Sequence, residues 1–395
     1  MTDLAELYRD LHRHPELAFA ETRTAAVAAR ELRAAGFEVA ENVGGTGVVG
    51  ALRSGDGPTV LLRADMDALP MAERTGLPYA SAVDGVMHAC GHDMHVTCLI
   101  GAAARLAERR DWSGTVLAVF QPAEEVGGGA HAMIDDGLFD RFGTPDVVLG
   151  QHVAPIPAGV VGLRAGPSFA AADTLKITLH GRGGHGSRPE VAVDPVVLAA
   201  ATVMRLQTIV SRETAGGDTA VVTVGAIRAG TVANIIPDTA ELHVSVRTYE
   251  ARVRERVLSA IERVVRAEAQ ASGADRDPEI VLETSFPTVV NDADAVERTR
   301  PAFDGVAAVV DPGPVTGSED VGVFATAAGA PLVYWLLGGA DPAAFAGAGT
   351  FDELREVVMT LPANHSPLFA PVIDPTIDLG VSCLTNTARA WLRQD

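Results

Sequence analysis

Leucines at positions 4, 7 and 11 recur at helical spacing, which predicts an opening helix that stops near His14-Pro15. A second helix is predicted over 21–35, with Gly36 as its stop. The pattern then changes to short apolar runs at 48–52, 59–64, 115–120 and 147–152, separated by alanine-rich helical stretches. That alternation predicts an α/β domain with a largely parallel central sheet. Ligands of such sheets sit beyond the carboxyl ends of the strands, so the residues just after each run become the candidates for chemistry.

Near residue 172 the pattern changes again. A strand at 173–180, a helix at 195–212, strands at 219–228 and 238–247, a helix at 250–271 and a strand at 279–283 give the order β-α-β-β-α-β. This is a complete ferredoxin-like unit. Strand and helix signals then resume with an apolar run at 331–337 and a final helix up to Asp395. The simplest organisation is a discontinuous domain, 1–172 with 286–395, interrupted by an inserted domain at 173–285. There is no tandem repeat and no low-complexity linker.

Composition narrows the function. The chain has 395 residues, enough for two or three domains at roughly 150 residues each. Asp and Glu total 51 against 31 Lys and Arg, a formal net charge of -20. Such a surface repels phosphate backbones and anionic lipid, which argues against nucleic-acid and membrane partners. No apolar run approaches the roughly 20 residues of a membrane span, and the N-terminus lacks a signal-peptide core, so a cytoplasmic enzyme is expected. Three scattered cysteines, Cys90, Cys98 and Cys383, give no disulfide framework. The single lysine, Lys176, follows no glycine-rich loop, which removes a P-loop and argues against Schiff-base chemistry. Gly45-Thr46-Gly47-Val48-Val49-Gly50 has the glycine spacing of a dinucleotide site, but a turn rather than a helix is predicted to follow, so it reads as a glycine-flanked strand.

Three neighbourhoods have the character of a metal site. Asp65 and Asp67 end a predicted strand two residues apart, so both carboxylates can share a face. His88-Ala89-Cys90-Gly91-His92-Asp93 sets a thiol and an imidazole around a glycine that lets the backbone bend. Glu124 and Glu125 follow the apolar strand at 115–120, and adjacent glutamates near one site make sense if one coordinates a cation while the other works as a base. His152 and His365 complete an inventory of Cys, His, Glu, His and His, sufficient for two metal ions with positions open to water and substrate. Each residue alone reads more simply as a hydrogen-bonded or packed structural group; the combination carries the specificity.

The chain resembles the amidohydrolases that include N-acyl-amino-acid amidohydrolases (aminoacylases), hippurate hydrolases and auxin-conjugate hydrolases, within a clan of two-metal aminoacylases and carboxypeptidases. The ordered motifs are Leu11-His12-Arg13-His14-Pro15-Glu16-Leu17, Arg63-Ala64-Asp65-Met66-Asp67-Ala68-Leu69-Pro70, Met87-His88-Ala89-Cys90-Gly91-His92-Asp93, Gln121-Pro122-Ala123-Glu124-Glu125, Gly183-Gly184-His185, Ala233-Asn234-Ile235-Ile236-Pro237, Gly317-Ser318-Glu319-Asp320 and His365-Ser366-Pro367. The resemblance implies a zinc-peptidase-like catalytic domain with the insertion as a lid, and a homodimer formed through that lid. It implies metal ligands at Cys90, His92, Glu125, His152 and His365, for two divalent ions of zinc, manganese, cobalt or nickel. Glu124 takes the place of the general base, and Asp67 that of an acid supporting the metal site. His185 corresponds to the histidine that helps hold the scissile carbonyl, and Asn234 and Arg247 to the pair gripping the substrate carboxylate.

The implied reaction is hydrolysis of the amide of an N-acyl-L-amino acid by a metal-activated water, with Glu124 accepting its proton and passing it to the leaving amine. A dipeptidase or carboxypeptidase of the same clan is the alternative enzyme, and an inactive ligand-binding relative the alternative outside catalysis. Three departures from the common pattern, Gln151, Glu190 and Val321, remove no ligand and bear on substrate preference.

Overall fold

The computed structural model describes residues 2–394. The chain divides into two compact units, Met1–Ser168 with Val290–Pro314 and Asp320–Asp395, and Phe169–Val289 with Val315–Glu319. The second unit is slightly wider than the pattern predicts, and it recruits the short segment Val315–Glu319, whose attachment no periodicity announces.

In the first unit, α1 (Leu4–Arg13) is capped by Asp3, whose carboxylate accepts the N–H groups of Ala5 and Glu6. It buries Leu7, Tyr8 and Leu11, as the leucine spacing predicts. α2 (Thr22–Ala34) follows, and then β1 (Glu38–Val43), β2 (Gly47–Ser54), β3 (Thr59–Asp65), α3 (His92–Glu108), β4 (Trp112–Gln121), β5 (Val147–Pro157) and β6 (Val160–Gly162). The main path of the sheet runs β1, β2, β4, β3, β5, Leu332–Ala340, β6, Ala308–Val310. Its centre is parallel: β3 pairs with β4 and β5, and β5 with Leu332–Ala340, all in parallel register. β3 is buried on both faces, which explains its unbroken apolar run. Trp335, fully buried on Leu332–Ala340, meets Phe303 edge-on with centroids 5.4 Å apart. Truncating such a side chain costs about 3–5 kcal/mol.

Two expectations change. The final helix, Thr376–Trp391, stops short of the predicted end; Arg393–Gln394 instead pairs antiparallel with Ser113 and Trp112 of β4, and Asp395 lies outside the described residues. The polar segment Glu38–Val43 forms an edge strand that apolar patterning could not reveal. The glycine run at 45–50 opens β2 rather than a helix, in line with its reading as a strand.

The second unit is a four-stranded antiparallel sheet in the order Ala220–Ala229, Thr239–Thr248, Ala171–His180, Glu279–Phe286. Second strand, third, first, fourth is the ferredoxin-like arrangement predicted from the element order. Leu175, Ile177, Leu242, Val244 and Val246 alternate into a core shared with Leu198, Val257 and Ile261 of the helices Pro195–Thr208 and Ala251–Ala271.

Candidate metal centre

The candidate residues of the first unit converge from five places in the chain. β3 delivers Asp65 and continues to Asp67. Cys90 precedes Gly91, which holds φ +85 as the N-cap of α3, so His92 begins the helix immediately after a sharp turn. A residue with a Cβ would be strained at that φ. Glu124 and Glu125 follow β4 through Ala123, a non-glycine residue at φ +51. His152 lies within β5, and His365 sits at φ +67 with its N–H donated to Ala89 O at 2.8 Å.

Their donor atoms form overlapping groups, each within 4.8 Å: Cys90, His92 and His152; Cys90, Glu125 and His365; and His92, Glu124 and Glu125. Cys90 is common to the first two groups. Cys90 Sγ lies 3.5 Å from His152 Nε2, and His365 Nε2 lies 3.3 Å from Glu125 Oε2. His152 donates its Nδ1–H to Val153 O at 2.9 Å, which leaves Nε2 with its lone pair facing the cysteine. Asn364 ties the pieces together, donating to Cys90 O at 3.0 Å and Val153 O at 3.1 Å.

Polar atoms without partners test whether this set fits metal ions. Both ring nitrogens of His92 and Oε1 of Glu125 are buried with no hydrogen-bond partner among the described residues. Leaving such atoms unpaired is costly, and a thiol, three imidazoles and a carboxylate are a donor set suited to zinc or a related divalent ion. The residues therefore fit two cations. His88 is likewise buried without partners, but it joins none of the donor groups.

Protonation follows the same geometry. Burial, reinforced by the charge of Glu125, pushes the Cys90 thiol up. Burial and neighbouring His95 hold His152 well below the usual imidazole range. Hydrogen bonds with Cys90 and Glu125 raise His365 to about 10, outweighing its desolvation. Burial alone would lower His92, yet Asp65 and Cys90 take it well above its ordinary value. A cation bound by these groups would displace their protons.

The two strand-end aspartates do not act alike. Asp67 accepts the N–H groups of Glu124 and Glu125, one on each oxygen, both at 3.0 Å, and its Oδ1 lies 3.4 Å from His92 Nδ1. Asp65 instead meets the buried Arg63 guanidinium and receives the Nδ1–H of His95 at 2.5 Å. The tautomer is fixed because Val153 N–H donates to His95 Nε2 at 2.8 Å. Arg63 also donates to Gln121 at 2.7 Å and to Asp320 at 3.0 Å, forming a buried polar network. His95 offered a signal, three residues after His92 on the same helix face, but Arg63 reads from sequence as one charge in an apolar strand.

In the second unit, His185 on Gly184–His185 pairs with Ile235, and Gly186 N–H donates to Asn234 O at 2.8 Å, so His185 and Asn234 are neighbours. His185 Nδ1 accepts Ser187 N–H at 3.1 Å, which places its proton on Nε2. Arg247, on Thr239–Thr248, donates to Thr316 O at 3.2 Å and Ser318 Oγ at 3.0 Å.

Residues 61–353 match the model of peptidase family M20/M25/M40. The chain is 41% identical over 328 residues to a hippurate hydrolase of Campylobacter jejuni, covering 82% of this chain and 85% of that protein. It is 38% identical over 341 residues to thermostable carboxypeptidase 1 of Saccharolobus solfataricus, covering 85% of each. Its structure is similar, with a TM-score of 0.78 and 30% identity over 98% of this chain and 96% of the other, to the Bacillus subtilis YXEP protein, a dinuclear metal binding peptidase of the M20 family. With its donor groups arranged around Cys90, the chain belongs to peptidase family M20/M25/M40, a family of metal-dependent hydrolases.

Proposed function

We propose that the protein hydrolyses the amide bond of N-acyl-L-amino acids, releasing a carboxylic acid and an amino acid. The observation that carries this reading is the sharing of Cys90 by two donor groups, with a third group, His92, Glu124 and Glu125, that takes one member from each and adds Glu124. Cys90, His92 and His152 would hold one cation, and Cys90, Glu125 and His365 the other. Bound there, two divalent ions supply Lewis acidity toward the carbonyl and lower the pKa of water.

The chain's own groups do the rest. Glu124 takes the proton of the attacking water and returns it to the leaving amine nitrogen, acting first as base and then as acid. Asp67 holds Glu124 and Glu125 through their backbone amides. His185, carrying its proton on Nε2, is suited to donate to the carbonyl oxygen as negative charge develops there. Arg247, with Asn234, grips the substrate carboxylate through a two-pronged ion pair that a hydrated ammonium would make less well.

The carboxypeptidase relative supports a second reading, cleavage of peptides with a free C-terminus. A panel comparing N-acetyl, N-benzoyl and long-chain acyl amino acids with free dipeptides, run on metal-reconstituted protein, separates the two. Turnover confined to dipeptides overturns the first reading. A Glu124→Ala protein with full function would instead indicate a binding protein. We further infer a homodimer through the second unit, supported by the exposed apolar stripe of Val197, Ala200, Ala201 and Met204 on Pro195–Thr208. Sedimentation of a Met204→Glu variant tests it, and unchanged association would refute it. Three unpaired cysteines, all buried, support a reducing, cytoplasmic setting.

A further inference from the structure

Asp67 is not the only carboxylate beneath the Glu124 turn. Glu21, the residue before α2, is 0% exposed. A buried carboxylate is rare unless its oxygens are saturated. One oxygen of Glu21 accepts Ala123 N–H at 2.8 Å and Phe19 N–H at 3.0 Å, and the other accepts the Thr46 hydroxyl. These partners are all neutral donors, so the carboxylate is spent on orienting backbone rather than on neutralising a cation.

Ala123 is the strained point of the turn. It holds φ +51, a conformation that costs an L-residue roughly 1–2 kcal/mol and persists only where its surroundings over-determine it. Its carbonyl accepts Gly128 N–H at 3.3 Å and Gly129 N–H at 3.2 Å, which closes the turn on one side. Its N–H goes to Glu21 on the other. Three consecutive amides, those of Ala123, Glu124 and Glu125, therefore end on two buried carboxylates, Glu21 and Asp67.

We propose that Glu21 is a positioning residue for the hydrolysis: by accepting the Ala123 N–H it holds Ala123 in the left-handed conformation and so fixes the direction in which the Glu124 side chain leaves the backbone. The inference rests on Glu124 as the proton carrier. A purely structural staple would lower stability and leave turnover unchanged; a positioning residue lowers kcat while binding persists, because a displacement of about 1 Å in a reacting group costs on the order of 100-fold in rate.

The test uses the metal-loaded protein and five variants, Ala123→Gly serving as the reference for its double variant. Glu21→Met fills the same volume without an acceptor, and Glu21→Gln keeps one oxygen for the two amides while its NH2 turns to the Thr46 hydroxyl. Glu21→Met is expected to keep wild-type metal content and to lose roughly 100-fold in kcat with KM within about threefold, and Glu21→Gln to recover most of that loss. Glycine takes φ +51 without strain, so Glu21→Met is expected to cost less in an Ala123→Gly background than alone. Thr46→Val, which removes only the hydroxyl bond, is the milder variant should Glu21→Met not fold, with a smaller loss of the same kind. Hydrogen exchange of the segment around residue 123 should quicken in Glu21→Met while segments in α3 and β5 keep their protection.

Wild-type kcat in Glu21→Met, a loss that tracks lost metal, or Glu21→Gln no better than Glu21→Met overturns the proposal. Where Thr46→Val stands in, wild-type kcat in it does the same. If the wild type cleaves no N-acyl-amino acid, the proposed function fails, and unchanged exchange at residue 123 then refutes the role of Glu21 separately.

Discussion

Replacing Asp67 with asparagine tests how the metal centre is held. Each Asp67 oxygen takes one backbone amide, of Glu124 and of Glu125, at 3.0 Å. Asparagine keeps the shape but turns an NH2 toward one of those N–H groups, so one bond is lost and a buried amide is left unpaired. A hydrogen bond to a charged acceptor contributes about 1.5–3 kcal/mol, and about 1.4 kcal/mol is a tenfold change, so the expected loss is about 10–100-fold. The same range is typical for groups that orient metal ligands. Because Glu125 is a candidate ligand and Glu124 the proposed proton carrier, the loss should appear in zinc affinity, measured by competition with a chromophoric chelator, and in kcat. Asp67→Asn protein with zinc affinity and kcat indistinguishable from wild type would refute the reasoning.

Stability should depend on pH through His12 and Glu73. Burial alone would lower His12, but the adjacent Asp93 charge and its hydrogen bond take it to about 10 from 6.5; burial alone would raise Glu73, but hydrogen bonds from His12, Ser81 N–H and Thr75 bring it to about 2 from 4.5. The Glu73 contribution is therefore present above pH 4.5 and lost toward 2, and the His12 contribution is complete below pH 6.5 and lost through 10. The urea midpoint should fall on both sides of this window, and His12→Gln should flatten the alkaline limb; an unchanged limb contradicts the pairing. Gly129→Ala would set a Cβ 1.6 Å from Pro122 O, so a loss of about 3 kcal/mol or more in urea unfolding is expected, and a wild-type midpoint would contradict the turn described. Arg247→Ala should raise KM for substrates with a free carboxylate far more than for their amides, and equal increases would contradict its role.

The sequence reveals residues whose chemistry is unusual for their place. Glu124 and Glu125 stand out as paired carboxylates after an apolar strand, Cys90 and His92 as a thiol and an imidazole around a glycine, and His152 and His365 as the imidazoles that complete the donor set; all of them meet in the first unit. Buried charges that work through hydrogen bonds leave no such mark. Arg63 reads as one charge in an apolar strand, Glu21 as the start of a helix, and Asp65 as a twin of Asp67 until its partners are seen. The ferredoxin-like order was legible because its strands alternate and its helices are long. The edge strand Glu38–Val43 and the segment Val315–Glu319 were not, since neither carries an apolar period.

The central claim is that one thiolate serves two cations. Elemental analysis of wild-type and Cys90→Ala protein after metal reconstitution and desalting, with hydrolysis assayed on the same samples, tests it most directly. Two equivalents per chain in the wild type, with both equivalents and hydrolysis lost together in Cys90→Ala, is the predicted result. Two retained equivalents in Cys90→Ala, or a wild type that holds only one, would contradict it.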